Sequence, residues 1–402
     1  MTVISIRDLD FARPYKPLDF GNGRAAGSVA LDARILTLST YHPYFGYVTL
    51  SAHPPFPDEK RFDQAAVRAY RAGLADPSAS AFGLVPGEPW TQSSVGLLED
   101  AVPRIRLANA SLQAQVTTWA LQGPDKPPAA AVQEWQLENI SGKSLDWSFT
   151  WRGLIHLTRA SMTQLTEGGV IPFPSAHITV DFSEGVLVIH NPALDSAVAI
   201  LGLPLTPPFN QAGTAVEVAI PGHLNFQPAE SKTLTFTLAF GRTPAQARQR
   251  AEHRTKLDLH AGLDAICQAA KARSGQIDSF VPSQVQLLGH RALSYVLGCC
   301  ALRVNESNCL LTDHQILPLS WTRDAYYIAV ALMSQPGKRN LDIVRRHLLW
   351  LFERARRPDG HWGRAYLPNG FPKDDAFQLD QQCYPLLELA DYERTSHDHV
   401  TL

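Results

Sequence analysis

This chain has no long hydrophobic run, no basic or apolar start and no block of like charge, and each lack removes a class of protein. No stretch approaches the roughly 18 apolar residues of a membrane span, and Met1 to Asp10 has neither half of a secretory signal. The expectation is a cytoplasmic protein with no membrane partner. A formal charge of -2, with no Lys/Arg cluster, gives no field for holding a polyanion, so nucleic acid is excluded as a partner. Cysteine is scarce: Cys267, Cys299, Cys300, Cys309 and Cys383 form no CxxC pair and have no histidine at zinc-finger spacing. They are expected as reduced core thiols, and no metal or cofactor is called for. Internal repeats and low-complexity tracts are also missing.

What is present is a chain of 402 residues, 45% hydrophobic and 9% aromatic, long enough for about two domains with sizeable cores. From Ala25 to about Gly241 the pattern is short period-2 runs broken by Pro, Gly and Asn, as in an antiparallel sandwich. Leu145, Trp147, Phe149 and Trp151 alternate with polar residues, and this run is expected to pair with Val132 to Glu138 across the turn 139–143. Ile178 to Phe182, Val186 to His190, Ala197 to Leu201 and Leu234 to Phe240 read as further strands, with a helix inserted near Phe62 to Leu74.

After Gly241 the period changes. Thr243-Pro244 has the form of an N-cap followed by proline at the first helical position, and Ala245 to Lys271 continues as one linker helix. Further helices are expected over Val285 to Arg303, Thr322 to Met333, Asn340 to Arg354 and Gln378 to Tyr392. The fold class is therefore α+β and multidomain: residues 1–242 as an antiparallel β-supersandwich, 243–275 as a helical linker, and 276–402 as a helical domain.

Two clusters carry candidate chemistry. Ser320-Trp321-Thr322-Arg323-Asp324 opens a helix and sets an aromatic ring beside a guanidinium and a carboxylate. Such a donor and acceptor pair matches adjacent sugar hydroxyls, and an indole can cover an apolar sugar face. A buried Arg–Asp pair that only ties down the helix start remains open. The second cluster is Asp359 to Tyr366, then Pro368-Asn369-Gly370, then Gln378-Leu379-Asp380 at another helix start. Aromatic loops beside polar helix N-termini suit carbohydrate, and loop packing is the alternative for Trp362 and Tyr366.

Together the segments PLSWTRDAYYIAVAL, DGHWGRAYLPNGF and QLDQQCYPLLELADY resemble the barrel region of bacterial family 15 glycoside hydrolases, the glucoamylase and glucodextranase group. The resemblance covers about 75 residues, Pro318 to Tyr392, with three motifs in order. It implies a β-supersandwich joined to an (α/α)6 six-hairpin barrel that cleaves terminal α-glucosides with inversion. Arg323 and Asp324 match the pair that holds the non-reducing glucose, Trp321 and Trp362 would line the pocket, and Gln378 and Asp380 would lie at its rim. Gln381 stands where the family usually has an acidic residue. Amylo-1,6-glucosidases and exo-α-mannosidases share a similar scaffold, and a non-catalytic carbohydrate-binding remnant is the alternative of another class.

Inverting cleavage needs two carboxyl groups about 6.5 to 9.5 Å apart, and in the resembled family both are glutamates well downstream of the Q-x-D-E helix. The catalytic pair is thus expected beyond Leu402. The roughly 147 residues from 256 to 402 supply about five helices at ordinary lengths, so only part of a twelve-helix barrel is expected. The polar tail from Glu393 is expected to hold no helix, with His397-Asp398-His399 as surface polarity and not a metal site. Inner helices of an open half-barrel would expose apolar faces, so self-association or pairing with a missing C-terminal half is the partner expectation beside an oligosaccharide or polysaccharide substrate.

Overall fold

Period-2 burial builds the first 241 residues. In the strand Leu145–Arg159, Trp147, Phe149 and Trp151 are buried while Asp146, Ser148 and Arg152 are exposed, so every second side chain enters the core. Phe236, Leu238 and Phe240 do the same from Ser231–Gly241. A computed structural model describes residues 4–9, 18–56, 60, 62–74, 80–122, 128–159, 175–255, 259–274, 281–315, 318–335 and 337–399.

The strands form a ten-stranded and a seven-stranded sheet, all neighbours antiparallel. Their inner faces share one core, in which Trp135, Phe182 and Phe236 of the larger sheet join Leu18, Leu38 and Trp151 of the smaller. The structure corrects one pairing. Ala130–Asn139 runs between Leu112–Ala120 and Ser231–Gly241 in the larger sheet, whereas Leu145–Arg159 pairs with Val216–Phe226 in the smaller. Residues 139–143 therefore cross between sheets and do not close a hairpin. Asn139 fixes the crossing by donating to Lys143 O at 2.6 Å and Gln227 O at 2.9 Å. The inserted helix is α1 (Gln64–Leu74), capped by Asp63 Oδ1, which accepts from the N–H groups of Ala65 and Ala66.

Beyond Gly241 helices predominate, with five short strands among the described residues. Thr243 Oγ1 accepts from Gln246 N–H at 3.2 Å, and α2 (Pro244–Thr255) follows. The single linker helix expected here is two, α2 and α3 (Leu259–Ser274). Both lie on the outer face of the ten-stranded sheet, where Ala130, Ala197, Ala199 and Ala239 meet Ala247, Ala251, Leu263 and Cys267. Small residues on both sides let helix backbone approach strand.

Among the described residues four more α-helices follow: α4 (Ser283–Tyr295), α5 (Thr322–Met333), α6 (Lys338–Leu349) and α7 (Leu379–Ser396). The expected helix to Arg303 ends early. After the five-residue π-helical segment Val296–Cys300, strands Ala301–Val304 and Ser307–Leu310 form a hairpin around Asn305, whose φ of 54° suits a tight turn. At the other end α7 runs to Ser396, past the point where a polar tail was expected to stop helical structure. Cys267, Cys299, Cys300 and Cys309 are buried, but Cys383 is exposed on α7 and is not a core thiol. None of the described helices is long and apolar enough to cross a membrane.

The β-sheet and helical regions are joined by close backbone contact. Gly23 N–H donates to Gly298 O at 2.7 Å, and Arg303 N–H donates to Gly23 O at 2.7 Å. Buried His314 meets Asp19 at 2.9 Å across the same junction.

Candidate functional site

Backbone pairing brings the three sequence segments together. Ser320–Trp321 pairs with Ala365–Tyr366, which pairs in turn with Pro372–Asp374. This small sheet sets the start of α5 against the aromatic loop. Thr322 Oγ1 donates to Gly363 O at 2.9 Å, and Thr322 N–H donates to Arg364 O at 3.3 Å. Arg364 binds buried Asp374 through Nε at 2.8 Å and holds its guanidinium 5.4 Å from the centre of the Trp321 ring. Trp321 is therefore held over one face and stays partly exposed.

The third segment joins through two glutamines. Gln381 is fully buried, and its Oε1 accepts from Arg323 N–H at 3.1 Å. The first N–H groups of a helix have no partner within it, so a side chain of α7 caps α5. Where the resembled family has an acidic residue, a neutral amide oxygen performs this capping. Gln382 clamps the loop: its Oε1 accepts from Trp362 N–H and its Nε2 donates to Trp362 O, both at 2.8 Å.

The sequence-predicted residues separate into two groups. Arg323 and Asp324 sit 3.7 Å apart with side chains 47% and 37% exposed, which is a solvent-facing pair and not a buried tie. Asp380 is exposed in the first turn of α7, and Gln378, its partly exposed N-cap, makes no capping bond with its side chain. Trp362 departs from the pocket-lining expectation. It is 9% exposed, with its indole Nε1–H donated to Leu351 O at 3.2 Å, Phe352 edge-on and Arg357 over its face at 4.8 Å. The aromatic loop thus uses Trp362 as its anchor, and Tyr366 is fully buried as well.

Three tyrosines were not singled out in the sequence. Tyr326, Tyr327 and Tyr384 form a cluster with ring centres 5.3 to 6.0 Å apart, and Tyr327 is 58% exposed. Tyr327 lies four residues after Arg323, and Tyr384 four after Asp380, so each is one helical turn along the same face. That spacing was the available signal. Its hydrogen bond to Tyr327, then burial and the Asp380 charge, raise the Tyr384 phenol above its ordinary value. Among the described residues no group of three or more His, Cys, Asp or Glu could hold a metal ion.

No protein-family model and no curated protein matches this sequence. Solved structures do. One assigned as a kojibiose phosphorylase from the human microbiome aligns at a TM-score of 0.58 and 9% identity, over 95% of this chain and 54% of that one. A bacterial glucoamylase complexed with acarbose aligns at 0.54 and 10% identity, over 98% and 59% respectively. The chain thus spans just over half the length of either. At these identities the likeness is one of fold alone, a β-sheet region followed by a run of helices, and it leaves the activity to be argued from the site.

Proposed function

We propose that this chain forms the β-sheet region and first helical hairpins of an enzyme acting on terminal α-glucosides, and that the paired starts of α5 and α7 hold the terminal sugar. One observation carries the reading: the mini-sheet and Gln381 and Gln382 lock three distant segments together while leaving Trp321, Arg323, Asp324 and Asp380 open to solvent. Rigid capping of the helix starts pre-organises a guanidinium and two carboxylates beside an aromatic face. Arg323 donates to ring hydroxyls, Asp324 and Asp380 accept from them, and Trp321 with the tyrosine cluster covers apolar sugar faces. An inverting reaction also needs an acid and a base, and neither is assigned to a residue of this site, so the proposal is one of sugar binding.

Titration with acarbose, followed by tryptophan fluorescence and calorimetry, tests the binding. Arg323→Ala and Asp324→Ala are each expected to weaken it by about 2 kcal/mol, the scale for leaving a polar partner unpaired. Unchanged affinity in both variants, with the fold intact by circular dichroism, would sink the site. A panel of maltose, isomaltose and mannobiose sets the sugar class: preference for the mannoside would replace the glucoside reading with that of an exo-α-mannosidase scaffold. Release of glucose by this chain alone would extend the site from sugar binding to catalysis.

A further inference from the structure

A cavity of about 300 Å³ lies away from this cluster, where the ten-stranded sheet, α3 and α4 meet. One face of α3 makes the space: Ala265, Ala269 and Arg273 succeed one another at four-residue spacing, so two small side chains lead to one large cation. Gly21, Gly298 and Ser294 keep the opposite side open. By the roughly 30 Å³ that a water occupies in the liquid, the volume is that of about ten waters. It falls at the lower end of the range of small-molecule sites.

The charges around it are unbalanced. Arg273, Arg291 and Arg339 line the cavity, against a single carboxylate among the described residues, Asp19, which is engaged by His314 at 2.9 Å. Arg291 is fixed by donating to Ala101 O at 2.7 Å and Asp19 O at 2.6 Å, both backbone carbonyls, so its charge has no acid beside it in those bonds. Among the described residues, Arg273 and Arg339 have neither an ion pair nor a hydrogen bond. Burial and the neighbouring Arg339 push the Arg273 guanidinium down to about 10, as expected for a cation held near another. A partly buried guanidinium without an acceptor is costly, and Arg273, with the exposed Arg339 lining the same cavity, has the form of a waiting anion site.

We propose that this cavity binds a small phosphate monoester, with Arg273, Arg291 and Arg339 gripping the phosphate and the remaining volume holding a polyhydroxylated body of hexose size. Guanidinium groups match phosphate oxygens in pairs, and Ser294 and Gln122 offer polar atoms toward the rest of the ligand. Because the cavity joins the sheet region to α3 and α4, a bound ester would tie the two regions together and stabilise the fold by mass action.

The experiment is calorimetric titration and thermal unfolding of the 402-residue chain with glucose 1-phosphate, glucose 6-phosphate, inorganic phosphate, sulfate and glucose at matched ionic strength. The esters are expected to bind more tightly than glucose and to raise Tm further than glucose does. Arg273→Gln and Arg339→Gln should each weaken ester binding tenfold or more. Inorganic phosphate binding as tightly as the esters would overturn the ester and assign the free anion; equal binding of sulfate would reduce the site to a nonspecific anion hole. No binding by any phosphate, or undiminished binding in both glutamine variants, would overturn the site itself. Should Arg273→Gln fail to fold, Arg339→Gln, at the exposed start of α6, gives the same reading.

Discussion

The β-sheet region and the helical region use their apolar residues differently. In the former, one core receives alternate side chains from both sheets, and large apolar residues left exposed, such as Leu31, Ile140 and Leu205, are scattered between strands. In the shorter helical region, exposed residues gather on three helices, two of which carry the candidate site: Val285 and Leu288 on α4, Tyr327 on α5, and Leu379, Leu386 and Leu387 on α7. A sheet buries one face against the other sheet and is then complete. The sheet region therefore supplies its own core, whereas the helical region adds specific polar ties and leaves apolar residues at its surface.

The sharpest way to break that contrast is the tie between α6 and α7. His347 and Glu388 are both essentially inaccessible and meet at 2.8 Å, with the imidazole stacked on Trp350 at 5.8 Å. Burial, only partly offset by His347, raises the Glu388 carboxyl above its ordinary range. Glu388→Ala leaves the imidazole buried without its partner and should cost about 3 kcal/mol of unfolding free energy, while Glu388→Gln, which keeps an acceptor, should cost about 1. Denaturant titration read by near-UV signals measures both. Equal, negligible losses would mean that the helices hold together by apolar packing alone, as the sheets do.

At the junction the contact is backbone on backbone, and its tolerance is small. A Cβ on Gly21 would stand 2.2 Å from Gly298 O, so Gly21→Ala forces the strand and the π-helical segment apart. The expected loss is about 2 kcal/mol, within the range for overpacking, with the helical region more exposed to protease. An unchanged unfolding midpoint would show that the two regions are not coupled there.

The same junction should carry a pH dependence. Burial lowers the pKa of His314, but its hydrogen bond to Asp19 and the charges of Asp19 and Asp313 more than offset this, so the folded value lies above the ordinary 6.5. A histidine raised on folding contributes stability that is complete below about 6.5 and is lost as pH rises through its folded pKa. Unfolding followed from pH 6 to 9 should show this decline, and Asp19→Asn should flatten it. A decline that survives Asp19→Asn would assign it to another group.

How far these features were legible from the sequence follows from the range of the interactions that make them. Alternation marked Trp147, Phe149 and Trp151 as one face, because burial in a strand is local to every second residue. Which strand lay beside them was not local: Ala130–Asn139 turned out to face across the core, since the turn at 139–143 can close a hairpin or switch sheets with the same residues. The helix starting at Thr322 was plain from its N-terminal residues, but the end of α4 was not, because a hairpin of Leu302, Val304 and Cys309 is apolar enough to extend a helical pattern. In the candidate site, the segments were readable and their geometry was not. Sequence treated Trp321 and Trp362 alike, and only the position of Phe352, Arg357 and Leu351 O makes the second a core anchor.

The smallest expected effect sharpens the comparison between regions most directly. Leu386 on α7 is 54% exposed, while Leu38 in the sheet region is fully buried. Leu386→Ser removes side-chain area that this fold does not bury, so the unfolding free energy should change by no more than about 0.5 kcal/mol. Leu38→Ser removes a core side chain and buries a hydroxyl, and should cost about 3 kcal/mol or more. Association should respond in the opposite order. If the apolar residues of α4, α5 and α7 take cover by meeting another surface, sedimentation velocity should show concentration-dependent association of the parent chain that Leu386→Ser, alone or with Leu379→Ser, reduces. A parent chain that stays monomeric at tens of micromolar would mean that these leucines are tolerated as ordinary surface, and the dependence of the helical region would then rest on its polar ties.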